Sequence, residues 1–224
     1  MWCCLVGSEM CIRDSPMSWT ESAHTTAHGF RRWIHANFTR CPETWPKRNP
    51  IPKNSNLKMS DELFSSILDG CSVKLPPFEW LWRCSEGGSI GRKALSAIDI
   101  DHTVIPVRMA NGGRTTAKRK LANFLTNNLD RYHLDRNSVD NPAVSGLSPW
   151  LHFGHISSIE IVEQILNQND WTPEHIDTSR KGSREGWWGL SQGIESFLDQ
   201  IITWRELGFN NAYHNENHLS LIHI

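Results

Sequence analysis

Apolar residues recur at helical spacing in several separate stretches of this chain. Over residues 24–38, Phe30, Trp33, Ile34 and Phe38 fall three to four apart, which predicts one helix. Pro42, Pro46, Pro50 and Pro52 then interrupt regular structure, in a run rich in Lys, Arg and Asn that reads as a linker or an extended crossing. Ser60-Asp61-Glu62 caps a predicted short helix through Leu68, stopped by Gly70. Residues 71–110 read as irregular, with a short extended piece at 104–107. From Gly112 the pattern turns helical. Residues 115–129 place Leu121, Phe124, Leu125 and Leu129 on one face, with Arg114, Lys118, Arg119 and Lys120 toward the start. Ser157 followed by Glu160 forms a capping-box pattern ahead of Ile161, Val162, Ile165 and Leu166. Thr172-Pro173 starts a further short helix. The strongest periodicity lies at 191–207, where Ile194, Phe197, Leu198, Ile201 and Ile202 form one stripe. The second half is therefore expected to be all-α with short connections, and the whole chain mainly α.

Composition narrows the class. A chain of 224 residues suits one domain, or one domain with part of another. No long apolar run is present, which argues against a membrane span. The net charge of -1 gives no global nucleic-acid signal, so any DNA contact must come from a local basic face. Six cysteines form no C-x-x-C pair and match no zinc spacing, so free thiols in a reducing cytoplasm are expected. His152 and His155 stand three apart, a spacing one metal would accept. With no carboxylate or Cys beside them, they read as helix surface, and no metal site is expected.

The ends are read separately. Residues 1–15 lack a basic stretch followed by a continuous apolar one, as a signal peptide would have. They look like translated adaptor sequence, and so does the tail at 219–224. Both are expected to be non-native. The expected organisation is then 16–110, the end of an N-terminal domain with a linker, followed by a helical domain over 111–218.

One turn carries candidate chemistry. In Val144-Ser145-Gly146-Leu147-Ser148-Pro149, Gly146 lets backbone approach a ligand closely, and Pro149 suits the first turn of a helix. Ser145 and Ser148 place hydroxyls beside the free N–H groups of a positive dipole end, where a phosphate is favoured. The same residues also serve as an ordinary N-cap and turn. The basic cluster at 114–120 either tracks phosphate or is a solvated face. Trp187-Trp188 could stack on bases or anchor a loop by burial.

The run from Tyr132 through Arg136, Pro142, Ser145, Ser148, Leu151, Phe153, Gly154 and Ile156 to Ser157 resembles a motif of the cryptochrome/DNA photolyase family. That motif has a Tyr, an Arg a few residues on, then Thr-Ser-x-Leu-Ser-Pro-Tyr-Leu-x-Phe-Gly-x-Ile-Ser. A second run, Phe197-Leu-Asp-Gln200-Ile-Ile-Thr-Trp204-Arg205-Glu206-Leu207 with Asn210 beyond, resembles the family helix Phe-Leu-Glu-Glu-Leu-x-x-Arg-Arg-Glu-Leu-x-x-Asn. Both are closest to class II cyclobutane pyrimidine dimer photolyases, and the resemblance covers roughly residues 110–217.

The resemblance implies a truncated helical FAD-binding domain, preceded by a linker. The helix at 24–38 would be the end of an α/β antenna domain, whose full form leaves room for a second chromophore. It implies FAD contacts from Tyr132, Arg136, Val144, Ser145, Gly146, Leu147, Ser148, Trp204, Arg205 and Asn210. Val144 stands for the usual Thr, so one hydroxyl contact is lost. Gln200 stands where the family has a carboxylate facing damaged bases, and a neutral amide can donate to a carbonyl but not transfer a proton. Trp187 and Trp188 would line the substrate pocket. The implied activity is light-dependent repair of DNA by a monomer in the bacterial cytoplasm, at the nucleoid. Two other readings stay open, a cryptochrome-like photoreceptor and a non-catalytic helical nucleic-acid-binding module. Further flavin contacts would lie beyond Leu219, so the chain alone is expected to bind FAD poorly or not at all.

Overall fold

Thr26 starts the first helix. Its hydroxyl accepts the Gly29 N–H at 3.2 Å, a cap that contributes about 1 kcal/mol. In this computed structural model, which describes residues 19–44, 96, 99, 101–104 and 111–215, the helix α1 is Ala27–Asn37. It is shorter than the periodicity predicts because the cap leaves His24 outside. α1 buries Phe30, Arg31 and Ile34, and a 3-10 turn at Phe38–Thr44 continues it, burying Phe38 and Cys41. The helix expected at 60–68 lies outside the described residues, as does the extended piece at 104–107 apart from Val104.

The chain divides into two units, one from Met1–Lys47 with Asn111–Ile224, the other from Arg48–Ala110. α1 belongs with the helical unit, a grouping that a boundary at 110/111 does not show. The described part of the second unit is a turn, in which the Thr103 N–H and hydroxyl both donate to Asp101 Oδ1, at 2.9 and 2.6 Å. Asp101 is held below the usual carboxylate range by those two hydrogen bonds.

In the helical unit, α2 (Arg114–Asn127) buries Ala117, Leu121 and Phe124. The short α3 (Tyr132–Asp135) and α4 (Ser148–His152) follow, then α5 (Ser158–Gln168), which buries Ile161, Val162 and Ile165. α6 (Gln192–Leu198) runs through a π-helical segment, Asp199–Trp204, into α7 (Arg205–His214). The predicted stripe Ile194, Phe197, Leu198, Ile201 and Ile202 is buried as expected. The wide turn was not foreseeable from that stripe. It leaves Arg205 N–H bonded back to the Gln200 carbonyl, five residues earlier, an arrangement found mostly as single turns and often at functional sites.

Aromatic edges join these helices. Phe197 lies 4.7 Å from Phe124 and 5.2 Å from Tyr132, centroid to centroid. Gly193 brings α6 against the carbonyls of Leu129 and Asp130, where any side chain would overlap backbone. The unit is mainly α, and among the described residues there is no strand. Nor is any described helix long and apolar enough to cross a membrane.

Of the two readings open for Trp187 and Trp188, their burial favours the loop anchor. Both are buried, at 2% and 5% exposure. His35 stacks on Trp187 at 3.8 Å, Phe38 meets Trp188 edge-on at 4.6 Å, and Trp171 Nε1 donates to the Trp188 carbonyl at 2.8 Å. Together they anchor residues 186–190 onto α1 rather than offering rings to bases.

Candidate functional site

The Val144–Gly146 turn is set by its approach. Arg131 donates to Asp135 at 2.8 Å and to Asn141 Oδ1 at 2.8 Å, and the Ala143 N–H donates to the Asp135 carbonyl at 3.1 Å. Ala143 and Leu147 are buried on either side, so the three residues between them are held at the surface. They form one wall of a cleft of about 510 Å³, whose other wall is Arg119, Lys120, Asn123, Phe124 and Asn128. Gly146 has φ of +62°, a left-handed conformation that favours glycine. Beside it stands the Lys120 ammonium, 3.6 Å from where a Cβ would lie, and that ammonium is also 5.2 Å from the centre of the Trp150 ring.

The turn's own groups differ in what they offer. Ser145 Oγ accepts the Leu147 N–H at 3.4 Å. Ser148 is the exposed first residue of α4, with Leu147 rather than Ser148 at the cap position. Val144 is half exposed and brings no hydroxyl.

The basic cluster splits in two. Arg114 donates through both Nη atoms to Glu160, at 2.7 and 2.8 Å, and Lys118 stands 3.7 Å from the same carboxylate. The spacing predicts that this carboxylate completes a capping box with Ser157. It pairs with Arg114 instead, while Ser157 Oγ still accepts the Glu160 N–H at 3.1 Å. Arg119 and Lys120, on the other side of α2, face the cleft. The apolar stripe of α2 does not by itself assign Arg119 and Lys120 to the turn. The available signal was their offset of one and two positions from Lys118, about 100° per residue around the helix.

Tyr132 and Arg136 stand at the edge of this region. Tyr132 meets Phe124, a cleft residue, edge-on at 5.9 Å, and the Arg136 guanidinium lies 5.9 Å from the Tyr132 ring centre. Burial pushes the phenol's pKa up while Arg136 opposes it, so the hydroxyl stays protonated.

The remaining predicted residues lie along 199–210. Gln200 is half-buried on the π segment, and Trp204, four residues on, is 50% exposed. Arg205 donates to the fully buried Glu206 at 2.5 Å and sits 4.9 Å from the Phe209 ring centre. Asn210 is fully buried. Its Oδ1 accepts the His24 N–H at 2.7 Å and its Nδ2 donates to Thr20 Oγ1 at 3.1 Å, which ties α7 to the segment before α1. The cleft thus gathers Val144, Ser145 and Gly146, with Tyr132 bordering it through Phe124. Asn210 is committed to Thr20 and His24.

Three further residues hold this frame. Asp199 opens the π segment and is gripped by Arg31 of α1, Nε to Oδ1 at 2.7 Å and Nη2 to Oδ2 at 3.1 Å, with both side chains nearly buried. Glu195 is buried and accepts the N–H groups of Gly186 and of Leu190, the latter at 3.1 Å. His35 Nδ1 accepts the Gly182 N–H at 3.0 Å.

His35 gives a pH prediction. Burial, then the charges of Arg31 and Lys181, lower its pKa from 6.5 to about 3, so the folded ring is neutral. The unfolded chain takes up this proton first. The stability His35 contributes is therefore complete above pH 6.5 and lost progressively toward pH 3. Urea titrations across that range should show a falling midpoint for the wild type and a flatter one for His35→Gln, which can still accept from Gly182. Equal slopes would refute the assignment.

No protein-family model matches the chain. Among curated proteins, it is 33% identical over 183 residues to a deoxyribodipyrimidine photo-lyase of Arabidopsis thaliana, covering 79% of this chain and 28% of that protein. It is 32% identical over 99 residues to a protein of the same name from Oryza sativa subsp. japonica, covering 44% and 16%. A third, from Potorous tridactylus, is 24% identical over 123 residues, covering 55% and 20%. The chain therefore spans less than a third of the length of these curated relatives. The three similarities support the photolyase/cryptochrome family.

Proposed function

We propose that this chain is part of a light-dependent DNA-repair flavoenzyme, a deoxyribodipyrimidine photo-lyase, and that it supplies the phosphate half of an FAD site. The observation that carries the reading is the cleft in which Arg119 and Lys120 oppose the Val144–Gly146 turn. Two cations facing a glycine turn suit the two negative charges of a dinucleotide diphosphate. The donor set fits FAD in chemistry, and the turn leaves room at Gly146 for close approach. Ser148 adds an exposed hydroxyl at the head of α4.

In this reading Tyr132 and Arg136 border the cofactor. Gln200 faces a cyclobutane pyrimidine dimer taken out of the duplex, and Trp204 lies on the flavin side. The chemistry the bound, reduced cofactor supplies is light-driven donation of one electron to the dimer. The protein's part is positional. The Gln200 amide donates to a base carbonyl without delivering a proton, and the exposed Trp204 indole offers a flat apolar surface to the cofactor. Arg205 orients this segment through Glu206 and Phe209.

A second reading has one observation in its favour. With Gln200 in place of a carboxylate, the same frame suits a flavin photoreceptor without repair activity. One experiment separates the two. The protein expressed from its own gene is loaded with FAD, reduced, and illuminated with a duplex containing a thymine dimer. Dimer loss in light and not in darkness is expected. Bound flavin without dimer loss would favour the photoreceptor, and absence of flavin binding would overturn both.

A further inference from the structure

We propose that the loop at residues 180–184, together with Arg32 of α1, is a contact surface for the phosphate backbone of duplex DNA. This rests on the reading of DNA as the partner, and it assigns to that partner a surface distinct from the cofactor cleft. The loop is fixed at its centre. The Gly182 N–H donates to His35, its carbonyl accepts from Arg31 at 3.5 Å, and its α-carbon lies against the stem of Arg32, where any side chain would overlap. Three residues of α1 thus hold one glycine, and the side chains around it form a preorganised patch.

That patch is cationic. Arg32, Arg180, Lys181 and Arg184 are all exposed. Arg31 adds no outward charge, since Asp199 neutralises it in the interior. The carboxylates nearby in sequence are Asp177, which accepts from Ser179, and Glu185, which stands 3.9 Å from Arg184. Four cations against two carboxylates is a local excess on a chain of net charge -1.

Guanidinium groups on a rigid support suit phosphate oxygens, and such contacts give affinity without sequence preference. The placement also accounts for Trp187 and Trp188. Their burial anchors the segment that follows the patch, so the DNA contact falls on the residues before the tryptophans.

The test is anisotropy of a short, undamaged, fluorescein-labelled duplex titrated with the chain at several NaCl concentrations. Each lost phosphate contact should make the slope of log K against log salt shallower by about 0.9. The triple variant Arg180→Gln, Lys181→Gln, Arg184→Gln should therefore lose about 1.8 units of slope or more, with Arg184 partly offset by Glu185, and Arg32→Gln about 0.9. Arg114→Gln with Lys118→Gln, cations already paired with Glu160, should leave the slope unchanged. An unchanged slope in the triple variant would overturn the proposal, as would wild-type binding to phosphatidylserine vesicles and not to the duplex. FAD titration of the same variants, made in the protein expressed from its own gene, separates the two ideas. A lost DNA slope with no flavin binding in any variant retains the surface and removes the flavoenzyme reading. Intact flavin binding with an unmoved slope removes the surface alone.

Discussion

Replacing Asp199 by alanine should cost about 3–5 kcal/mol of folding stability, as breaking a buried ion pair from one side does. The Arg31 guanidinium would stay in the interior with its bidentate partner gone, leaving Gly182 O at 3.5 Å as its named hydrogen-bond acceptor. Against a total of about 5–15 kcal/mol for a domain of ordinary stability, that is a large fraction. The urea midpoint, followed by far-ultraviolet circular dichroism, should fall accordingly. The double variant Arg31→Met, Asp199→Leu should recover most of the loss, because two apolar side chains remove the uncompensated charge. A single variant within about 0.5 kcal/mol of wild type, the range of ordinary surface substitutions, would show that the pair does not hold α1 to the π segment.

Reversing the charge of both cleft cations, Arg119→Glu with Lys120→Glu, should abolish FAD binding. A charge-assisted hydrogen bond contributes roughly 1.5–3 kcal/mol, so losing two lowers affinity by about 100-fold or more before repulsion is added. Both side chains are exposed, so folding stability should barely move. Loss of binding with an unchanged urea midpoint then reads as loss of the phosphate contact. Isothermal titration with FAD and with ADP makes the measurement, and ADP isolates the diphosphate from the flavin ring. Wild-type affinity in the double variant would remove Arg119 and Lys120 from the site.

Much of the helical unit is legible in the sequence because its apolar stripes are local. The spacing of Leu121 and Phe124, and of Ile161, Val162 and Ile165, places each helix and its buried face without knowledge of partners. The Ser145–Pro149 turn is legible for the same reason, since a glycine and a proline act on their own backbone. What could not be read depends on choices among distant partners. Glu160 sits at the right spacing to bond Ser157, but Arg114 offers a charged, bidentate alternative 46 residues away. Asn210 matches a family position, yet its amide is engaged by Thr20 and His24 across a separation of 186–190 residues. The sequence leaves Trp187 and Trp188 between two roles, and the structure buries both. They lie between Gly186 and Gly189, both in left-handed backbone, in a loop that turns both rings inward. The π segment is hidden for a further reason. Its stripe of apolar residues is nearly the same as that of a plain helix, and the change shows only in hydrogen bonds five residues apart.

The turn at Val144–Gly146 and the face of α2 across from it are proposed to form one phosphate-binding cleft. Titration of FAD into the isotope-labelled chain, followed by amide resonances, tests it even where binding is too weak to survive desalting. The predicted result is saturable shifts at Lys120, Asn123, Ser145 and Gly146, absent from the double charge-reversal variant. Millimolar FAD that leaves those amides unmoved, or moves them equally in that variant, would contradict it.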